Sequence, residues 1–188
     1  MIAEIVFAID PALAHRFNVA LVIPLSNAVA VQGRQFRDGF MLATAERDSH
    51  PDQESDGHLG GLDVYVGVID GHGDVAADIG RMVTQGEVDI VAAFGSETTL
   101  SLIGKLLDGT RVAVLVPGRS PFSEPDLPAV AAFISAYQRE YGRRPSAQAA
   151  QGYNSARRIA FAVRAQGGVD DTAALLRSFR QTERGFTW

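Results

Sequence analysis

The chain has 188 residues, of which 46% are hydrophobic and 21% charged, and its formal net charge is −5. That length suits one domain with a single core and is too short for two large domains. The acidic balance and the scattered Lys and Arg residues argue against a nucleic-acid-binding surface. Because there are no cysteines, disulfides and thiolate metal sites are excluded, and both a cytoplasmic and a periplasmic location stay open.

The amino-terminal 17 residues do not form a convincing secretory signal. They lack a basic segment and carry Glu4 and Asp10, both unusual in a signal peptide. Nor does any apolar stretch reach the roughly 20 residues that a membrane-spanning helix needs. We therefore expect no membrane insertion.

Strands and helices alternate through the first two thirds of the chain. Short apolar runs at 18–24, 62–69, 89–94 and 111–116 predict buried strands, and apolar residues at helical spacing predict helices at 30–48, 75–85 and 98–107. The polar, Gly- and Pro-rich residues 49–61 predict a surface loop. This βαβαβαβ pattern predicts an α/β fold with one doubly wound parallel sheet, of the flavodoxin-like type.

The alternation stops after residue 117. A break rich in Pro and Ser is followed by helical patterns alone, the first of them closed by Gly142 and the second by Gly167. Asp170 and Asp171 are placed to cap a third helix, and Gly152 within the second predicts close helix packing. A helical carboxyl-terminal segment is unusual in a doubly wound domain.

The junction at 95–99 is the strongest candidate site. An apolar run ends at Gly95, and Ser96 and Thr98 stand where the next helix begins. Such a junction directs amides and hydroxyls outward from the carboxyl end of a sheet, where open α/β folds bind anionic groups. On the residues alone, capping of their own helix is the commoner role of these hydroxyls.

Other constellations are weaker. Asp70, His72 and Asp74 follow a predicted strand, but three such residues in a Gly-rich turn are more often turn residues than metal ligands. Gly95 and Ser96 partly match a nucleophile elbow without its second Gly. There is no phosphate-binding Gly motif. We therefore predict no enzyme, no catalytic or metal-binding residue, and no cofactor.

Several short motifs, taken in order, resemble the type I periplasmic binding proteins of branched-chain amino acid and amide ABC transporters, the leucine/isoleucine/valine-binding family. The resemblance runs from residue 18 to residue 179. Its motifs are Val22-Ile23-Pro24-Leu25-Ser26, Gln32-Gly33, Asp38-Gly39, residues 67–74, Gly95-Ser96-Glu97-Thr98-Thr99, Pro117-Gly118-Arg119-Ser120, Phe133-Ile134-Ser135-Ala136-Tyr137, Tyr141-Gly142, Pro145-Ser146 and Ala149-Ala150-Gln151-Gly152-Tyr153.

The resemblance implies one lobe of a two-lobed clamshell. Family members leave the first lobe after a strand like 111–116, build a second lobe and return for the last helices. Here residues 1–188 are expected to form a single lobe, with an alternating part at 18–117, a connection at 118–125 where the second lobe is missing, and returning helices at 126–180.

The resemblance also implies the site. Ser96 corresponds to a hydroxyl that contacts the carboxylate of an amino acid, Gly118 to a backbone acceptor for its ammonium, and Ser120 to a second hydroxyl. Thr98 belongs to the same junction, and Gln32 stands where the family places a large residue over the ligand. The implied partners are an amino acid or amide, and an ABC permease or a second lobe or protomer, in the periplasm.

One lobe cannot bury most of a ligand's surface. We therefore expect a truncated solute-binding protein of the ABC-transporter type whose monomer binds its ligand weakly or not at all. The alternative is a regulatory or structural protein-interaction module derived from such a lobe.

Overall fold

A computed structural model describes residues 16–46, 54–118 and 127–184. Within these ranges one sheet contains five strands: β1 (Arg16–Ile23), β2 (His58–Leu59), β3 (Leu62–Asp70), β4 (Ile90–Ala93) and β5 (Ala113–Leu115). Six helices accompany them: α1 (Ala30–Ala45), α2 (Val75–Gln85), α3 (Glu97–Leu107), α4 (Pro128–Tyr141), α5 (Ala147–Gln166) and α6 (Thr172–Gln181). No helix in these ranges combines the length and apolar character that crossing a bilayer requires.

The strand order is β2-β3-β1-β4-β5. β1 pairs in parallel with β3, from Arg16 opposite Asp63 to Ile23 opposite Asp70, and with β4, which in turn pairs in parallel with β5. Four strands therefore end at one edge of the sheet. The chain changes direction across the sheet between β1 and β4, which is the topological switch point of such a fold. The predicted doubly wound α/β fold is confirmed.

The prediction of a surface loop over residues 49–61 is wrong for residues near its end. Residues 58 and 59 form β2, which pairs antiparallel with the start of β3. Gly60 and Gly61 have positive φ values of 70° and 97°, which allow the tight reversal between the two strands. Leu59 is thereby brought into the core and is only 2% exposed. Residues 49–53 of that predicted loop and the last two residues of the helix predicted at 30–48 lie outside the described ranges.

Two apolar layers cover the sheet. On one face, α2 and α3 pack through Ile79, Ile103 and Leu107 against alternate residues of the strands. On the other face lie α1 and the three carboxyl-terminal helices, with large buried side chains at Phe36, Phe40, Phe133, Tyr137, Tyr153 and Phe179. The helices after residue 127 therefore belong to the same core as β1 and α1.

The contact between α1 and α5 is unusually close. A Cβ atom at Gly39 of α1 would lie 1.8 Å from the carbonyl oxygen of Ala149, and one at Gly152 of α5 would lie 1.9 Å from that of Phe36. Neither position can hold a side chain unless the helices move apart. The predicted close packing at Gly152 is confirmed.

Arg158 of α5 is fully buried, at 2% exposure. Its guanidinium donates to the carbonyl oxygens of Val116 at 2.8 Å and Phe179 at 2.6 Å, and to Thr182 Oγ1 at 3.0 Å. Burial lowers the pKa of the guanidinium, and the charge of Glu183 opposes that shift. This one side chain joins the segment that follows β5 to the carboxyl end of α6.

Candidate ligand-binding cleft

A cleft of about 400 Å³ opens at the carboxyl edge of the sheet. It lies where the turns after β1, β3 and β4 meet, beside the switch point, and its volume is within the range of small-ligand sites. Its walls are formed by Pro24, Val29, Gln32, Gly71, His72, Phe94, Gly95, Ser96 and Thr99.

The wall formed by α1 depends on a close approach at Gly33. A Cβ atom there would lie 1.8 Å from the carbonyl oxygen of Pro24, so glycine lets the first turn of α1 rest on the end of β1. This contact places the adjacent Gln32, which is exposed, on the rim of the cleft. The position that the resemblance places over the ligand thus carries a neutral Gln side chain, with both donor and acceptor atoms.

Asp70 joins two of the turns around the cleft. Its Oδ1 accepts the backbone amide of Leu25 at 2.9 Å and that of His72 at 3.1 Å. The Leu25 amide is the largest cause of the lowered pKa of Asp70, with the His72 amide and the Ser26 hydroxyl acting in the same direction against desolvation. The carboxylate stays ionised and holds the turns after β1 and β3 together.

One side of the cleft is apolar. Phe94, just beyond β4, stacks on Phe36 of α1 with ring centroids 4.8 Å apart and planes 8° from parallel. Because Phe36 is fully buried, it fixes the ring of Phe94, which reaches the cleft together with Pro24 and Val29. The cleft therefore combines an apolar wall with a polar rim.

The polar rim is the start of α3. Ser96 Oγ accepts the amide of Thr99 at 3.2 Å and lies 2.9 Å from Thr99 Oγ1, and the Ser96 carbonyl accepts the amide of Leu100. Ser96 thus caps its helix, the interpretation that the residues alone favoured. The amides of Glu97 and Thr98 have no acceptor within the described residues. Together with the helix dipole they can receive an anionic group.

The five residues proposed for the site do not all meet. Ser96 and Gln32 line the cleft, whereas Thr98 borders a separate surface depression on the outer side of α3. Gly118 lies beyond β5, where a Cβ atom would be 2.5 Å from the carbonyl oxygen of Glu183, and it is not among the residues that line the cleft. Ser120 lies outside the described residues. The ligand-binding roles of all five stay predictions.

Of the nine residues that line the cleft, only Gln32 and Ser96 were predicted as site residues, and the missed ones include His72, Phe94 and Thr99. The available signal was position alone, since Phe94 directly follows β4 and His72 comes two residues after β3. For the possible metal ligands Asp70, His72 and Asp74, no group of three or more acidic or His side chains suited to a metal occurs in the described ranges.

The sequence matches a family model described as "Periplasmic binding protein" over residues 61–187. A search of curated proteins with this sequence finds no match.

Solved structures give the same fold. A leucine binding protein from Thermotoga maritima matches with a TM-score of 0.64 and 11% identity, over 88% of this chain and 87% of that one. A branched-chain amino acid transporter substrate binding protein from Streptococcus pneumoniae, in complex with isoleucine, matches with a TM-score of 0.56 and 13% identity, over 89% and 88%. An ABC-transporter solute binding protein from R. palustris, in complex with benzoate, matches with a TM-score of 0.50 and 13% identity, over 88% and 84%. At such identities the likeness concerns the fold alone.

Proposed function

The chain belongs to the periplasmic binding protein family, and from this premise we propose that it binds a small solute in the cleft, as the binding component of an ABC-type uptake system in the periplasm. The observation that carries the proposal is the cleft itself. It joins an apolar wall to the start of α3, where Gly95, Ser96 and Thr99 line it, at the edge where α/β folds bind ligands. We propose no catalytic role, since Ser96 Oγ is engaged by Thr99 and contacts no His within the described residues.

The proposed ligand carries a carboxylate and belongs to the amino-acid or amide class. The carboxylate would lie at the start of α3, bound by Ser96 and by the amides of Glu97 and Thr98, with a helix-dipole contribution of about 0.3–1 kcal/mol. Gln32 would cover it. As the resemblance implies, the Gly118 carbonyl would accept from the ammonium, and the Ser120 hydroxyl would serve either the carboxylate or the ammonium. The Thermotoga and Streptococcus proteins, named for leucine and branched-chain amino acids, support this class.

An aromatic carboxylate is the second candidate. Phe94 presents a ring, held by Phe36, to the cleft, and a flat aromatic acid could stack on it. The benzoate complex of the R. palustris protein supports this class. Both candidates require the same carboxylate contacts. They differ in the group that packs on the apolar wall and in the ammonium, which only the amino acid carries.

We further propose that the chain forms one lobe of a clamshell. Only residues 116–127 separate β5 from α4, and a second α/β lobe needs on the order of 50 residues or more. The structural matches span most of both chains, so this proposal rests on the short connection and not on them.

A single lobe has consequences for affinity. If a closed clamshell bound its ligand at about −8 kcal/mol and half of the favourable contacts were lost, about −4 kcal/mol would remain, which is a millimolar dissociation constant. A second protomer or a separate lobe that covers the cleft would restore affinity, and an ABC permease would be the further partner.

The test is a titration of the protein with L-leucine, L-isoleucine and benzoate, followed by amide chemical shifts. We expect millimolar binding, with shifts centred on residues 95–99. The Ser96→Ala variant should bind about twofold to tenfold more weakly, because one solvent-exposed hydrogen bond worth about 0.5–1.5 kcal/mol is lost.

Ser101→Ala is the matched control, since Ser101 is an exposed serine of the same helix outside the cleft. It should bind as the unchanged protein does. Absence of any shift at millimolar ligand, in both dilute and concentrated samples, would refute the binding function. A partner protein recovered by cross-linking in that case would favour the interaction-module alternative.

A further inference from the structure

The cleft contains one titratable side chain that the proposed function leaves unused. His72 lies in the turn between β3 and α2, is exposed, and lines the cleft together with Ser96 and Thr99. We infer that His72 is a ligand-contacting residue that selects a carboxylate and makes its binding tighter at low pH. The inference rests on the proposed function, because it requires that the cleft receive a carboxylate.

The backbone of His72 is fixed by Asp70. Its amide donates to Asp70 Oδ1 at 3.1 Å, and Asp70 is itself held by the amide of Leu25. The imidazole Nδ1 lies 3.8 Å from the same carboxylate oxygen. Because Nδ1 and Nε2 direct their hydrogen bonds away from each other, we assign the contact with a ligand to Nε2.

The charged side chains near the cleft do not line it. Asp70 and Asp74 flank the turn that contains His72, with Asp74 accepting the amide of Ala77 at the start of α2, and Glu97 borders the separate depression on the outer side of α3. Arg34, exposed on α1, does not line the cleft either. Of the described residues that line the cleft, His72 alone can carry a positive charge.

The protonated imidazole therefore supplies the positive charge that can pair with an entering carboxylate, beside the negative charge of Asp70. A neutral imidazole still donates or accepts one hydrogen bond, but it contributes no charge. Histidine side chains ordinarily change charge between about pH 5 and 8. Carboxylate binding should thus strengthen as the pH falls through that window, whereas binding of a neutral ligand of the same shape should not change.

Benzoate and benzamide are the probes, since they share a ring and differ in charge. Amide shifts give their dissociation constants at about pH 5.5 and about pH 8, the limits of histidine titration. For a half-exposed charge pair we expect benzoate to bind about threefold to tenfold more tightly at the lower pH, and benzamide equally at both. His72→Gln, which keeps a polar side chain but cannot be protonated, should abolish the difference while leaving the rest of the amide spectrum unchanged.

The outcomes separate this inference from the proposed function. If the unchanged protein binds neither probe nor an amino acid, the proposed function fails. If it binds benzoate equally at both pH values, or if His72→Gln keeps the pH dependence, the role of His72 is wrong and the binding function stands. A pH dependence shared by benzamide would also overturn the inference.

Discussion

Replacing Gly152 by Ala tests whether the contact between α1 and α5 supports the fold. In an open helix position this change raises helix propensity and stabilises by about 0.5–1 kcal/mol. At Gly152 the new Cβ atom would lie 1.9 Å from the carbonyl oxygen of Phe36, where ordinary contacts between carbon and oxygen begin near about 3.3 Å. The helices must therefore separate by roughly 1.4 Å, which also opens the reciprocal contact at Gly39.

Overpacking of this kind costs about 1–3 kcal/mol, and the separation from Gly39 adds to it. We expect the free energy of unfolding of Gly152→Ala to fall by about 2 kcal/mol, or about 4–8 °C in melting temperature for a domain of this size. Chemical denaturation followed by circular dichroism measures the change. Gly80→Ala is the matched control: Gly80 also lies in a helix, α2, but a Cβ atom there meets nothing within 4 Å. If both variants are equally stabilised, α1 and α5 are not packed as closely in solution as described here, and the reasoning is refuted.

Replacing either of two partly exposed carboxylates, Asp70 and Asp89, should change the free energy of unfolding with opposite dependence on pH. Folding lowers the pKa of Asp70. Its charge therefore stabilises the fold at pH values above the ordinary pKa of an aspartate, and this contribution is lost as the pH falls through the lowered pKa. Asp70→Asn should therefore cost more stability at about pH 7 than at about pH 3. Burial raises the pKa of Asp89, so its charge is penalised, and Asp89→Asn, which keeps an acceptor for the amide of Asn18, should cost less as the pH rises. Parallel pH profiles in denaturant titrations would contradict this. Arg158→Lys retains the charge but cannot reach three acceptors at once, so unfolding free energy should fall by about 2 kcal/mol; an unchanged denaturation midpoint would show that the guanidinium geometry is dispensable.

Local patterns predicted most of the elements because their boundaries are set locally. α2 was expected at 75–85 and spans those residues, since Asp74 accepts the amide of Ala77 at one end and Gly86 takes a φ of 67° at the other. Gly142 and Gly167 close α4 and α5 in the same way. β2 was missed because a two-residue strand with one apolar side chain has no periodicity to detect.

The site was predicted less well, because it depends on which turns become neighbours. Ser96 was identified from its place at a helix start. Thr98 was preferred to Thr99, yet the helix begins at Glu97, so the residue three positions after the Ser96 cap is the one that turns back to it and lines the cleft. His72 joins Ser96 only because β1 lies between β3 and β4 in the sheet, and strand order is a tertiary property.

Arg158 shows the same limit in the core. A basic residue inside a helical pattern normally indicates a solvated face. Its burial depends on carbonyl groups at Val116 and Phe179, which lie on two other elements distant in sequence. Nothing near residue 158 in the sequence signals those acceptors.

The seam between α1 and α5 also orders events during synthesis. The sheet face that α1 helps to form, with Phe36 and Phe40, is completed by side chains that lie after residue 127, such as Tyr153. A ribosome must therefore add about a hundred residues after α1 before α5 can emerge to cover it, which at about 5–20 residues per second takes on the order of ten seconds. During that interval the nascent chain presents an incompletely covered aromatic surface, the kind of surface that chaperones bind and that promotes aggregation.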